Sequence, residues 1–350
     1  AGYNHYNASR GRFKNTSATE EIIMIHHRGR YWAVTCGLTV ILVASGTPLG
    51  MAQNYPVKPV RVIVVFPPGG STDVVARVAF QKVADLTGQP FQIDNRAGAG
   101  GTLGAAIAAK SPADGYTLMV YSASLIANAH LYRKLPYDAL RDFTGITPVS
   151  RLVGMLAVHP SLPVRNAKAL IALAKSRPHE LRYGSAGVGA YQHLAGSLFA
   201  TMGGVNINHV PYKGGAQAAV ATASGEIEML LTPVVEVMSL VQSGRLRPIA
   251  VSSATRTTQF PDVPALAESI AGYELVSWFG AFAPTGTPRP IIDRLNAELK
   301  KAVADPEVSA KLSSLVLDPM HQSPEEFAKL LRADFDKYEQ IVKQSGARLD

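Results

Sequence analysis

Val60-Arg61-Val62-Ile63-Val64-Val65-Phe66, followed at once by Pro67-Pro68-Gly69-Gly70-Ser71-Thr72-Asp73, decides the fold. The first seven residues are apolar and β-branched apart from Arg61 and Phe66, which predicts a buried strand. The Pro/Gly cluster closes it, and Ser71, Thr72 and Asp73 offer helix-capping oxygens. Val75, Val78, Ala79, Val83 and Leu86 then share one face at helical spacing until Gly88. Strand, glycine loop and helix open an α/β unit. The alternation continues with a strand at 91–93, a helix at 101–110, the turn Pro112-Ala113-Asp114-Gly115 and a strand at 116–121.

A second series follows. Its parts are a helix at 167–176, a strand at 181–183, the loop Gly184-Ser185-Ala186-Gly187-Val188-Gly189 and a helix at 190–202. Next come a strand at 207–210, a helix at 216–224, a strand at 227–231, a helix through Val241 and a strand at 246–251. After a strand at 278–283 the chain turns helical, with starts at Thr287-Pro288 and at the capping box Ser323-Pro324-Glu325-Glu326. These last helices have no sheet of their own and are expected to return over the first set. Two α/β sets predict two lobes: 53–159 with 256–350, and 160–255. No repeat of fixed period occurs.

Upstream, His26, His27, Arg28 and Arg30 precede the apolar run Tyr31 to Ala44, then Ser45-Gly46-Thr47-Pro48 and Gly50-Met51-Ala52. The run is short for a membrane span, and the three regions predict a secretory signal peptide cleaved after Ala52. Met24 is then the expected initiator, with residues 1–52 as N-terminal extension and leader. The chain of 350 residues carries a formal +8. Residues 1–52 hold five Lys/Arg and two Asp/Glu, so the remainder carries 29 and 24 and a formal +5. Those charges are scattered, which argues against a nucleic-acid partner. Cys36 is the only cysteine, so the chain after the leader has no disulfide, thiolate metal site or thiol nucleophile, as suits an exported, periplasmic protein.

Chemistry-bearing motifs are few. In Gly98-Ala99-Gly100-Gly101-Thr102-Leu103-Gly104, Leu103 stands where a dinucleotide fingerprint needs its third glycine. Gly184-Ser185-Ala186-Gly187 lacks the first glycine of a nucleophile elbow, because Tyr183 is there, and no base is placed beside Ser185. No His pair at 130, 159, 179, 193, 209 or 321 has ligand spacing, so no metal and no cofactor is expected. What remains is a glycine-rich loop in each α/β set, entering a helix start whose free N–H groups and partial positive charge suit an anion without Arg or Lys.

The Pro-Pro-Gly-Gly-Ser-Thr-Asp loop, Asp94-Asn95-Arg96-Ala97-Gly98-Ala99-Gly100-Gly101, Asp114-Gly115-Tyr116-Thr117-Leu118 and Val210-Pro211-Tyr212-Lys213-Gly214-Gly215 carry a resemblance. Gly244 to Val251, Phe260-Pro261-Asp262-Val263-Pro264 and Trp278 to Pro284 extend it. From about Tyr55 onward the chain resembles the Bug-type receptors, the periplasmic substrate-binding proteins of tripartite tricarboxylate transporters. The resemblance implies a two-lobed periplasmic binding protein fold (type II), each lobe a central sheet flanked by helices, closing on a small carboxylate. It implies a monomeric, non-enzymatic receptor serving a membrane permease. The rivals are an exported serine hydrolase using Ser185 or Ser71, and a ligand sensor for a signalling protein.

Carried over by position, Gly69, Gly70, Ser71, Thr72 and Asp73 form the first jaw. Ser185, Ala186, Gly187, Val188, Gly189 and Ala190 form the second, with His193 behind it. Asp73 suits capping better than touching an anion, which it would repel. Ser122, Ser124, Thr232 and Pro233 are expected to face the cleft, with Phe66 and Tyr212 as possible walls. The low polarity of Thr232 and Pro233 argues for an acid with an apolar or hydroxyl-bearing body over an amino acid.

Overall fold

A 16-residue strand, β4 (Phe143–Val158), organises the molecule. Its first part pairs antiparallel with β9 (Val276–Pro284), and its last five residues pair with β7 (Met229–Pro233). The structure is a computed structural model that describes residues 55–347, which belong to one compact unit. The leader and its cleavage point, Met24 and Cys36 lie outside the described residues. Among the described residues, no helix is long and apolar enough to cross a membrane.

On one side of β4 and β9 lie β1 (Val60–Val64), β2 (Phe91–Asn95) and β3 (Thr117–Ser122). The strand order is β2-β1-β3-β9-β4, with β1 parallel to both neighbours. On the other side β7, β5 (Arg182–Ser185) and β6 (Asn208–Pro211) follow in that order, parallel to one another. The strand β8 (Arg247–Val251) pairs with β4 off this path. Parallel strands require crossover helices. These are α1 (Ser71–Thr87), α2 (Thr102–Ala109) and α3 (Ser124–Leu131) in the first half. In the second they are α4 (Ala167–Ser176), α5 (Tyr191–Gly203), α6 (Gly215–Ala223) and α7 (Val234–Gln242). Three C-terminal helices follow: α8 (Arg289–Ala304), α9 (Pro306–Ser314) and α10 (Pro324–Ser345).

Three elements differ from the sequence expectation. No element was expected over 143–158, because Gly145, Pro148 and Gly154 interrupt its apolar pattern. The pattern needs no interruption-free ladder, since the strand is bulged around Gly145–Thr147 and Pro148–Ser150. Ser122 and Ser124, expected to follow the strand at 116–121, end β3 and begin α3, a helix the sequence reading did not include. The C-terminal helices cover more than the first set: α10 packs on α3 and β4 and also on α5 in the second.

The Ser323 side chain accepts from Glu326 N, as its capping box predicts, and sets the start of α10. That helix delivers Phe327 into the core against Trp278, Phe282 and the bare backbones of Gly145 and Gly280. Trp278 Nε1 donates to Asp334 Oδ2 at 2.6 Å, so the indole faces α10 while its neighbour Phe279 takes the opposite face of the sheet. Phe327 is wholly buried, and Phe327→Ala leaves a hole where two glycines cannot fill it. The expected loss is about 3–5 kcal/mol of unfolding free energy, measured by urea denaturation; a loss near zero would show that α10 is not anchored there.

Candidate functional site

The strands β1, β3, β5, β6 and β7 all release the chain at their C-terminal ends toward a shared crevice, where ligands of open α/β sheets bind. A cavity of about 70 Å³ lies there. Four helices begin on its wall: α1 at Gly70, Ser71 and Thr72, α5 at Tyr191 and Gln192, α6 at Gly214 to Gln217, and α7 at Pro233 and Glu236. Phe66, Pro67, Pro68, Leu152 and Phe279 supply the apolar remainder, and no Lys or Arg is among the lining residues.

The starts of α1, α5 and α6 have Gly70, Ala190 and Gly214 at the cap position, and none has a capping side chain. Backbone donors therefore stay open. Among the described residues, the N–H groups of Thr72, Asp73, Tyr191, Gln192, Gly215, Ala216 and Gln217 meet no protein acceptor. Ser71 N is the exception. It donates to Glu236 Oε1 at 3.1 Å, and Ser71 Oγ donates to the same oxygen at 2.9 Å. Gln192 Nε2 donates to Glu236 Oε2 at 2.9 Å, and Thr232 Oγ1 makes a further short bond to Oε2. One carboxylate from α7 thus spans from the start of α1 to that of α5. A Cβ on Gly215 would run into it, so the α6 start lies directly alongside.

Of the residues carried over by position, Gly70, Ser71, Thr72 and Ala186 line the cavity, and so does Ser122, expected to face the cleft. Asp73 does not. Its Oδ2 accepts from Gly69 N and Arg77 Nε, each at 2.9 Å, and Oδ1 accepts from Asn95 Nδ2. Burial opposes its ionisation, but these bonds outweigh burial and hold the carboxyl below its usual range. Asp73 therefore shapes the Gly69 turn. Thr232 is buried and reaches the site through Glu236 and by accepting from Gln192 Nε2 at 3.2 Å, and Ser124 is buried in α3. Tyr212 turns away to donate to Glu226 at 2.8 Å.

Gly187 and Val188 face the first half's Gly98–Gly101 loop instead of the cavity, and Gly189 lies against Asn128 and Tyr132. Gly100, at φ +62°, lies so close to Val188 O and Ala190 N that no side chain fits there. Tyr132 Oη lies 3.1 Å from Ala99 O and 3.3 Å from Val188 O, sharing its proton between the two loops. The rejected dinucleotide-like motif is thus the counter-surface of the second glycine loop.

Behind that loop, Ser185 Oγ is 2.6 Å from His209 Nε2 and accepts from Gly187 N at 3.0 Å. The sequence placed no base beside Ser185; the parallel pairing of β5 and β6 brings His209 there, not His193. The hydroxyl is fully buried and does not line the cavity, so the pair braces the loop. His193 Nδ1 accepts from Gly189 N at 3.3 Å, and the His193 and His209 rings meet tilted at 41° with centroids 4.5 Å apart. Burial pushes His193 down to about 4; burial, then His193, pushes His209 down to about 3.

Several wall residues had not been singled out: Gln192, Glu236, Tyr191 and Gly214 to Gln217. For the last group a signal existed, because Gly214-Gly215 precedes a helix as Gly69-Gly70 does.

The fold and this crevice define a two-lobed protein of the periplasmic binding class. Residues 75–347 match the family model described as tripartite tricarboxylate transporter family receptor, and the chain belongs to that family. It is 36% identical to the protein BugT of Bordetella pertussis over 318 residues, 89% of this chain and 97% of BugT. An R. palustris protein solved with adipate is 36% identical, with a TM-score of 0.81 over 83% of this chain and 98% of that one. The periplasmic binding protein BugD is 29% identical, with a TM-score of 0.81 over 84% and 99%.

Both imidazoles accept protons more readily in the unfolded chain, where the ordinary value is about 6.5. Unfolding therefore takes up protons below that pH, and stability falls as pH drops from about 6.5 toward 4. A series of denaturant titrations over this range should show a shallower slope for His193→Gln/His209→Gln than for the parent; equal slopes would refute neutral bracing.

Proposed function

We propose that the chain is a non-enzymatic periplasmic receptor that binds a small carboxylate in this crevice and presents it to a membrane permease of the tripartite tricarboxylate type. The observation that carries the reading is the set of uncapped helix starts around one cavity without basic side chains, which provides donors and partial positive charge for an anion. Family membership and a relative solved with adipate support it. Glu236, already held by Ser71, Gln192 and Thr232, illustrates what the wall does to a carboxylate.

The lobes in this reading are 53–159 with 256–350, and 160–255; Gly70, Ser71, Thr72 and Ala186 act as jaws, and Gly69, Asp73, Ser185, Gly187, Val188, Gly189, Ala190 and His193 support the loops. The crossing between them is tied by Tyr191. Its Oη lies 2.9 Å from Ser252 Oγ and 2.8 Å from Leu275 O, while Gly154 N donates to Ser252 Oγ at 2.8 Å. Tyr191 opens α5, so a rotation between the lobes moves a cavity wall with it. Closure is stabilised by contacts that an anion makes to both lobes only in the closed form.

A thermal-shift screen of mono-, di- and tricarboxylates against amino acids tests the reading, since a ligand of the folded state raises the melting temperature. At least one carboxylate should shift it, and Gly215→Ala, whose methyl invades the space beside Glu236, should remove that shift. Silence with every carboxylate, together with ester turnover lost in Ser185→Ala, would favour the hydrolase instead.

A further inference from the structure

Glu236 is the only acidic side chain on the cavity wall, and its carboxylate is already saturated. A carboxylate offers about four lone-pair sites in its plane. Ser71 N and Ser71 Oγ take those of Oε1, and Gln192 Nε2 and Thr232 Oγ1 take those of Oε2. The donors come from α1 in the first half and from β7 and α5 in the second. Glu236 is thus built into the wall as a resident negative charge.

The charge available to a ligand follows. Each helix start is equivalent to roughly half a positive charge, so the starts of α1, α5, α6 and α7 supply about two. Glu236 consumes about one of them, and no Lys or Arg on the wall adds to the remainder. The open amides of Gly215, Ala216 and Gln217 can then compensate one ligand carboxylate. A second carboxylate would have no compensating charge and would share a small cavity with two like charges.

We propose that Glu236 is a specificity-determining charge filter that restricts the receptor to ligands with a single carboxylate and a neutral or cationic remainder. The inference rests on the carboxylate-receptor reading and names the ligand class of the same site. It reverses the expectation drawn from Thr232 and Pro233, because the acidic group that admits an ammonium-bearing ligand stands just past the end of β7, in the first turn of α7. It also separates this chain's ligand from the dicarboxylate seen in the adipate-bound relative.

Calorimetric titration with two matched sets tests it: butanoate, succinate and 4-aminobutanoate, then hexanoate, adipate and 6-aminohexanoate. Within the set that fits, the parent chain should bind the monocarboxylate and the amino acid at least tenfold more tightly than the dicarboxylate. Glu236→Gln should narrow that ratio at least tenfold, chiefly by gaining affinity for the dicarboxylate. Glu236→Ala should narrow it in the same sense, and the melting curve of each variant shows that it is folded. A parent preference for the dicarboxylate would overturn the inference alone. So would an equal gain for all three ligands of a set in both variants, since Glu236 would then be a displaceable plug. Binding of none of the six by any of the three proteins would overturn the inference, and silence of the wider carboxylate screen as well would sink the receptor reading with it.

Discussion

A helix that begins inside a protein must find acceptors for its first N–H groups. Here three begin on one cavity with glycine or alanine at the cap, where Ser, Thr, Asp or Asn would close the donors off. The omission forgoes about 0.5–2 kcal/mol at Ala190 and only a few tenths of a kcal/mol at Gly70 and Gly214. In return it keeps backbone donors for something other than the chain's own caps. Asp73, the one acidic residue in the first turn of α1, is drawn back to Gly69, Arg77 and Asn95, which shapes the loop and leaves the helix start open.

That arrangement depends on two halves being held in register. The pairing of β4 with β9 runs to the point where β4 meets β7, and Tyr191 ties the same region to Ser252 and Leu275. Because Tyr191 and Gln192 are consecutive, one residue reports the crossing and the next touches Glu236. On the rim, the Gly98–Gly101 and Gly187–Gly189 loops approach backbone to backbone, a contact that side chains would forbid. Glycine therefore serves two ends in this protein: open amides at the cavity and close approach at the rim.

Much of this was legible beforehand. The β1–loop–α1 unit, the second glycine loop and the Ser323 capping box all carry local chemistry that reads directly from residue type. The unread parts have physical reasons. The strand β4 is buried and bulged, so neither alternation nor an unbroken apolar run marks it. His209 reaches Ser185 only because β5 and β6 pair side by side across 24 residues of sequence. Glu236 sits on an ordinary helix first turn, where an acidic residue is expected for the helix's own sake.

The sequence by itself determined the α/β class, the glycine loops, the family resemblance and the scattering of Lys and Arg away from any one block. These follow from local rules, in which a residue's type and its neighbours set strand, turn and cap. Only the tertiary structure decided which helix starts share a cavity, that Gly98–Gly101 meets the second loop, and that an internal carboxylate lies across the site. Those are distances between residues as far apart as Ser71 and Glu236, and the packing of two sheet halves sets them.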